Sequence, residues 1–178
     1  MGRRIVFALL FCGAALCAGR LHAQEEGDAL QSKLDFANGL FVRGFFTEAT
    51  EQYEAYLKAL EGKTAPPEVW YRLGESAYAA GAHARALEAF DALQALPGDS
   101  PFKERARLSR GEVYYFMKEY VRAIEALGPL AMDGEEEPRG RAQYFLGKAF
   151  FDNGKIPEAI AQFNQLIEGL PGHPMAPY

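Results

Sequence analysis

Two glutamates are the residues in this chain whose type and spacing could support a reaction. Glu75 and Glu112 stand 37 positions apart, an interval that recurs in the sequence, so they would occupy equivalent places and could face each other across a groove. A facing carboxylate pair is the arrangement that glycosidases use for general acid and base catalysis. Because the chain offers few other reactive groups, we expect solvated groove charges here and assign no catalytic residue and no enzymatic activity.

The remaining polar candidates are better explained by structure than by chemistry. After residue 23 the chain has two histidines, His83 and His173, and no cysteine, which is too few ligands for a His/Cys metal cluster. We therefore expect no metal and no cofactor. His83 takes a position that carries phenylalanine, tyrosine or isoleucine elsewhere in the repeat pattern, so we expect it to pack. The acidic run 135–137 precedes a predicted helix, where the macrodipole stabilises carboxylates.

The elements that carry these residues follow from a register that occurs four times. A Gly or Ala is followed twelve positions later by Ala, and four positions after that by an aromatic residue or Leu. Two helices can cross closely only where small residues face each other, so each occurrence predicts one helical hairpin. The sequence thus predicts an all-α fold, a right-handed α-solenoid of about four tandem helix-turn-helix repeats. The four sets are Ala37–Ala49–Tyr53, Gly74–Ala86–Phe90, Gly111–Ala123–Leu127 and Gly147–Ala159–Phe163.

Two segments carry a family resemblance. WYRLGESAYAAGAHARALEAF and AQYFLGKAFFDNGKIPEAIAQF resemble tetratricopeptide repeats, whose pattern is W-x2-L-G-x2-Y followed by Ala, Phe and Pro. The resemblance covers roughly residues 30 to 171 and is to the bacterial exported type. The third unit departs from the pattern: Lys118 replaces the turn glycine, and Gly128 and Pro129 interrupt the second helix. Since Gly and Pro are poor in a helix interior, we expect that helix to end or kink near Leu127.

Periodicity and stop signals give the helix positions. Thr47 has the type of side chain that caps a helix N-terminus, Pro67 and Pro157 suit a first turn, and Ser100-Pro101 gives a cap followed by proline. We expect one domain over 24–178 with repeats at about 30–63, 67–99, 104–137 and 140–173, and with 174–178 resembling the opening of a further repeat. The predicted helices are 27–43, 47–60, 67–80, 83–96, 101–117, 120–127, 138–152 and 157–169.

The N-terminus predicts the compartment. Residues 1–4 supply two positive charges, residues 5–18 are apolar over the length of a signal peptide, and Leu21-His22-Ala23 places a small residue before Gln24. We expect a signal peptide cleaved after Ala23. Leu16 precedes Cys17, which disfavours lipid modification at that cysteine. The mature protein would be exported, and periplasmic or associated with the outer membrane.

Charge excludes one class of partner. Cleavage would remove three of the 19 Lys and Arg residues and none of the 24 Asp and Glu residues, leaving 16 basic against 24 acidic groups, a net charge of −8. Phosphate binding needs a basic face, so we expect no nucleic-acid partner. With both cysteines in the signal segment, stability would come from the stacking of repeats on one another.

The resemblance also implies a binding surface, because the first helix of each tetratricopeptide repeat lines the concave face. One column of equivalent positions is aromatic in all four units, and a second carries Tyr71 and Tyr144. Aromatic and arginine side chains supply contact area for peptide capture. The carboxylate clamp of chaperone-binding relatives is absent, since Leu34 stands where its lysine would be. The predicted partner-binding residues are Phe41, Tyr71, Arg72, Glu75, Tyr78, Arg105, Glu112, Tyr115, Tyr144, Lys148 and Phe151.

Three functions remain open on the sequence alone. The first is a non-catalytic scaffold of the bacterial cell envelope that binds a protein or peptide partner in this groove, in association with outer-membrane or cell-wall assembly complexes. The second is a module that binds peptidoglycan or a small ligand through the aromatic columns. The third is the repeat segment of a larger enzyme that extends past residue 178. We favour the first.

Overall fold

The computed structural model describes residues 24–60 and 62–176, and this part of the chain is helical, with eight helices and no strand. The predicted signal peptide lies outside the described residues. Two compact units divide between Thr64 and Ala65. The first contains α1 (24–42) and α2 (Phe46–Ala59). The second contains α3 (Pro67–Ala79), α4 (His83–Ala95), α5 (Pro101–Phe116), α6 (Tyr120–Asp133), α7 (Glu136–Asp152) and α8 (Ile156–Gly169). The all-α prediction is confirmed; the single domain over 24–178 stays a prediction.

The first unit is a helical hairpin built on its predicted register. Ala37, Ala49 and Tyr53 are fully buried, and the Tyr53 hydroxyl donates a 2.8 Å hydrogen bond to Asn38 Oδ1. The N-cap of α2 is Phe45, so the prediction of a Thr47 cap is wrong. The helix starts earlier than expected because the Ala49 N–H already bonds to the Phe45 carbonyl at 2.8 Å.

The second unit consists of three hairpins in two layers. Each hairpin pairs a first helix with a second one, α3 with α4, α5 with α6 and α7 with α8, and α4 and α6 also pack on the first helix that follows them. The first helices α3, α5 and α7 pack directly side by side, whereas α4, α6 and α8 make no comparable contact with one another within the described residues. The first helices therefore form the inner, concave layer of this unit.

Small residues set the crossings within the hairpins, as predicted. Gly74 lies against the ring of Phe90, and Gly147 lies against Phe163, whose Cε1 would be 2.7 Å from a Cβ at that position. Ala86, which we expected to meet Gly74, is fully buried, but the atoms nearest to Gly74 belong to Phe90. The glycines thus make room for a large side chain of the second helix rather than for its alanine.

The turn and proline signals have mixed outcomes. Ser100 caps α5 as predicted, since its side chain accepts from the Phe102 N–H at 3.3 Å. Lys118 adopts a left-handed conformation with φ of 62°, the conformation that Gly81 supplies with φ of 77° in the preceding hairpin. The prediction that α6 ends near Leu127 is wrong, because the helix continues through Pro129 to Asp133.

Tertiary packing explains the longer α6. Leu130 and Ala131, just beyond the proline, are 7% and 3% exposed and belong to one apolar cluster with Leu146 of α7. Burial of these side chains offsets the hydrogen bond that proline cannot donate. None of the described helices combines the length and apolar character that crossing a membrane requires.

Candidate partner-binding surface

The predicted binding residues lie in both compact units, one in the first and the rest in the second. Phe41 belongs to the first unit, where its ring packs edge-on against Phe46 with centroids 5.9 Å apart. All the others lie on α3, α5 and α7 of the second unit, the helices of its inner layer. We call the side of α3, α5 and α7 that carries them the inner face.

A buried polar network joins the three inner helices. The carboxylate of Glu112, 1% exposed, accepts from Arg141 Nη2 at 2.6 Å and from the Tyr78 hydroxyl at 3.2 Å. Beside it, Ser109 Oγ donates to Glu75 Oε1 at 2.6 Å. The expectation of a solvated charge is therefore wrong for Glu112. Its oxygens are satisfied by Arg141 and Tyr78, which is the condition for burying a carboxylate.

Burial dominates the electrostatics of this network. Desolvation raises the pKa of Glu112 to about 7, against the lowering effect of Arg141, and the nearby Glu75 carboxylate raises it further. Burial also raises the pKa of Glu75. Two carboxylates share one guanidinium here, so the network carries excess negative charge when both are ionised. The Glu112 carboxylate links α5 to α3 through Tyr78 and to α7 through Arg141.

Aromatic rings and one lysine occupy the other end of the inner face. Lys148 Nζ lies 4.9 Å from the ring centroid of Tyr115 and 5.3 Å from that of Tyr144, within the range of a cation–π interaction. The Tyr115 hydroxyl donates to Asp152 Oδ2 at 2.8 Å. Phe151 projects beside them and is 58% exposed.

Two pockets open on the inner face. The aromatic pocket, about 370 Å³, is lined by Tyr115, Lys148, Phe151, Asp152 and Phe163. The polar pocket, about 400 Å³, lies at the N-terminal ends of α5 and α7. Its lining combines apolar and charged side chains, namely Tyr71, Pro101, Glu104, Arg105, Leu108, Ser109, Glu135, Glu137, Pro138 and Arg141.

Two further predicted positions behave differently from the rest. Arg72 forms an ion pair with Glu68 one turn earlier on its own helix, at 2.6 Å. Leu108, which occupies the position on α5 equivalent to Tyr71 and Tyr144, is 4% exposed and belongs to the core. Tyr71 is half-buried, and its ring packs on that of Phe102 with centroids 5.4 Å apart. One part of this side chain therefore contributes to packing and another part remains accessible on the inner face.

Sequence reasoning missed residues whose role depends on neighbouring helices. Ser109 donates a hydrogen bond to Glu75, but no sequence motif singles it out. Phe163 was assigned to a crossing, and it also lines the aromatic pocket. His83 packs as predicted, stacked on the Phe116 ring at 6.5 Å. In the described ranges no group of three or more His, Cys, Asp or Glu residues is placed to hold a metal ion.

The comparisons with known proteins define the class. The tetratricopeptide repeat profile matches residues 34–101 and 108–174, and the chain belongs to the tetratricopeptide repeat family. Proteins of this family are in general non-catalytic scaffolds for protein–protein interaction.

Solved structures show the same fold. YrrB, described as a TPR protein with an unusual peptide-binding site, is 16% identical with a TM-score of 0.71, covering 97% of this chain and 85% of its own. MamA from Desulfovibrio magneticus RS-1, residues 41 to its end, is 21% identical with a TM-score of 0.68, covering 80% and 76%. At these identities the likeness concerns the helical-repeat fold. No curated protein sequence matches the chain.

Proposed function

We propose that this protein is a non-catalytic scaffold whose inner face binds an extended segment of a partner protein. The observation that carries the proposal is the aromatic pocket. Phe151 is 58% exposed beside Tyr115 and Phe163, an arrangement that leaves apolar surface open to a ligand. Exposed aromatic side chains that line a concavity are typical anchors of protein interfaces.

The chemistry around the pocket favours a peptide over a purely apolar ligand. Lys148 Nζ and the Asp152 carboxylate border the rings, so an apolar side chain could enter while the peptide main chain meets polar groups at the rim. Interfaces commonly combine a desolvated apolar centre with such a polar rim. YrrB, with the same fold, is a peptide-binding protein by its description, which agrees with this use of the fold.

The proposed location is the cell envelope. The basic residues of segment 1–4, the apolar segment 5–18 and the small residue Ala23 before Gln24 support export through a cleaved signal peptide. A partner would then be an exported protein, such as a component of an outer-membrane or cell-wall assembly complex. The net acidity of the chain after residue 23 is compatible with this class of partner.

A random dodecapeptide library presented to the full chain tests the binding surface. We expect the enriched peptides to contain an apolar or aromatic residue and to lose at least tenfold in affinity for Phe151→Ala. Met132→Ala is the matched control, because Met132 is 75% exposed on α6, outside the inner layer. Equal loss in both variants, or binding that Phe151→Ala leaves unchanged, would place the site elsewhere.

A further inference from the structure

The polar pocket has an excess of negative charge. Three glutamates line it, Glu104, Glu135 and Glu137, against two arginines, Arg105 and Arg141. Arg141 is already engaged, since its Nη2 forms the 2.6 Å ion pair with Glu112. One guanidinium, that of Arg105, therefore stands against three carboxylates at the surface of the pocket.

Carboxyl groups behind the pocket wall respond to charge in the pocket. Ser109 lines the pocket and donates to Glu75, so the half-buried Glu75 carboxyl group lies directly behind the wall. Burial raises the pKa of Glu75 and that of Glu112, although Arg141 lowers both. A cationic ligand near them would favour their ionised forms, because an opposite charge lowers the pKa of a carboxyl group.

The N-termini of α5 and α7 do not reverse this sign. Each contributes about half a positive charge, while Glu104 occupies the first turn of α5, and Glu136 and Glu137 occupy that of α7. Tyr71 adds a neutral aromatic wall, because desolvation by burial raises the pKa of its hydroxyl to about 12. An aromatic face beside carboxylates suits an ammonium or guanidinium group, which is attracted to both.

We propose that the polar pocket receives a lysine or arginine side chain of the partner segment. The proposal rests on the function proposed above and specifies its ligand. The basic side chain would lie along Tyr71 with its charged end at Glu104 and Glu137. The aromatic pocket would receive an apolar or aromatic side chain of the same segment.

The distance between the pockets sets the spacing of the two side chains. Arg141 of the polar pocket and Phe151 of the aromatic pocket are ten residues apart on α7, a helical rise of about 15 Å. An extended peptide advances about 3.3 Å per residue. The expected motif therefore has its basic residue and its apolar residue about four or five positions apart.

The random dodecapeptide library, presented to the full chain, provides the test. We expect enriched peptides to carry Lys or Arg four or five positions from an apolar or aromatic residue. Glu104→Gln/Glu137→Gln should weaken an enriched peptide about fivefold. Glu125→Gln/Glu158→Gln, which makes the same charge change at exposed positions of α6 and α8, should leave its affinity unchanged.

A substitution in the peptide, combined with the glutamine substitutions in the protein, completes a double-mutant cycle. Replacing its basic residue with norleucine should weaken binding to the parent protein about fivefold and have little effect on the Glu104→Gln/Glu137→Gln variant. The single variant Glu104→Gln should show a smaller loss in the same direction. Circular dichroism melting of each variant confirms that folding is retained, since these side chains lie at the pocket rim.

The outcomes separate this inference from the proposed function. Peptides whose binding depends on Phe151 but that show no basic preference, or an acidic one, would overturn the basic-residue inference and leave the binding surface standing. An absence of enrichment, or enrichment independent of Phe151, would overturn both. Equal loss in the two glutamine double variants would overturn the pocket assignment, because the effect would then be one of overall charge.

Discussion

The ring of Phe90 lies directly against the backbone of Gly74, where α3 crosses α4, and leaves no room for a side chain at that position. Gly74→Leu should therefore destabilise the protein by about 1–3 kcal/mol or more, because overpacking forces a backbone shift. Chemical denaturation followed by circular dichroism measures the change. Gly39→Ala is the control, since Gly39 lies inside α1 and nothing lies within 4 Å of a Cβ there. It should stabilise the helix by about 0.5–1 kcal/mol.

The pH dependence of stability tests the buried network. Burial raises the pKa of Glu112 from 4.5 to about 7 in the folded protein. The folded state then binds more protons than the unfolded state between these values, so stability falls as pH rises through this window. Glu112 contributes its full stabilisation below about pH 4.5 and loses it as the pH passes 7. The difference is on the order of 3 kcal/mol.

Glu112→Gln should remove this dependence. Glutamine keeps the shape, and it can accept from Arg141 and donate to Tyr78 without titrating. The free energy of unfolding of the parent, relative to the variant, should decrease between pH 5 and pH 8. Urea titrations at both pH values measure it, with Glu125→Gln as the exposed control. A parallel profile for the parent and Glu112→Gln would show that Glu112 stays ionised across this range.

Two aromatic residues of the inner face should differ in their effect on folding. Tyr78 donates its hydroxyl to the buried Glu112, so Tyr78→Ala leaves that carboxylate short of a donor and should cost about 1–3 kcal/mol. Phe151 is 58% exposed, and Phe151→Ala should change stability by less than about 0.5 kcal/mol. Thermal unfolding distinguishes them; a large loss for Phe151→Ala would make that ring part of the core.

Processing of the N-terminus is testable by intact-mass analysis of the protein from its native host. We expect the mature chain to begin at Gln24 and to carry no lipid, because a small residue, Ala23, precedes a polar segment and Leu16 precedes Cys17. A mass that includes Cys17, or an increment of acyl chains, would contradict cleavage after Ala23.

The sequence predicts the fold well because its crossings depend on spacing. Gly74, Gly111 and Gly147 recur at the length of one helical hairpin. This spacing can be recognised in the sequence without knowing which helices pack against one another. Helix α6 is the exception, since Pro129 argues locally for an end, while burial of Leu130 against α7 maintains the helix. Local propensity was outweighed by tertiary contact.

The site is less predictable for a related reason. The inner-face positions follow from the repeat register, but the environment of each depends on its neighbours. Glu112 looks like a surface charge by type, and its burial follows from Tyr78, 34 residues before it, and Arg141, 29 residues after it. Single-helix periodicity carries no information on such pairs. The role of Ser109 is likewise not predictable from its residue type, because it depends on the hydrogen bond to Glu75 on another helix.

Photo-cross-linking in living cells tests whether the inner face binds a partner segment. A photoreactive phenylalanine analogue would replace Phe151 in one variant and Met132, on α6, in another; the two residues are 58% and 75% exposed. We predict that the analogue at Phe151 cross-links to one short segment of a single exported protein, and that the analogue at Met132 does not. Cross-links to that segment from Met132, with none from Phe151, would contradict binding at the inner face.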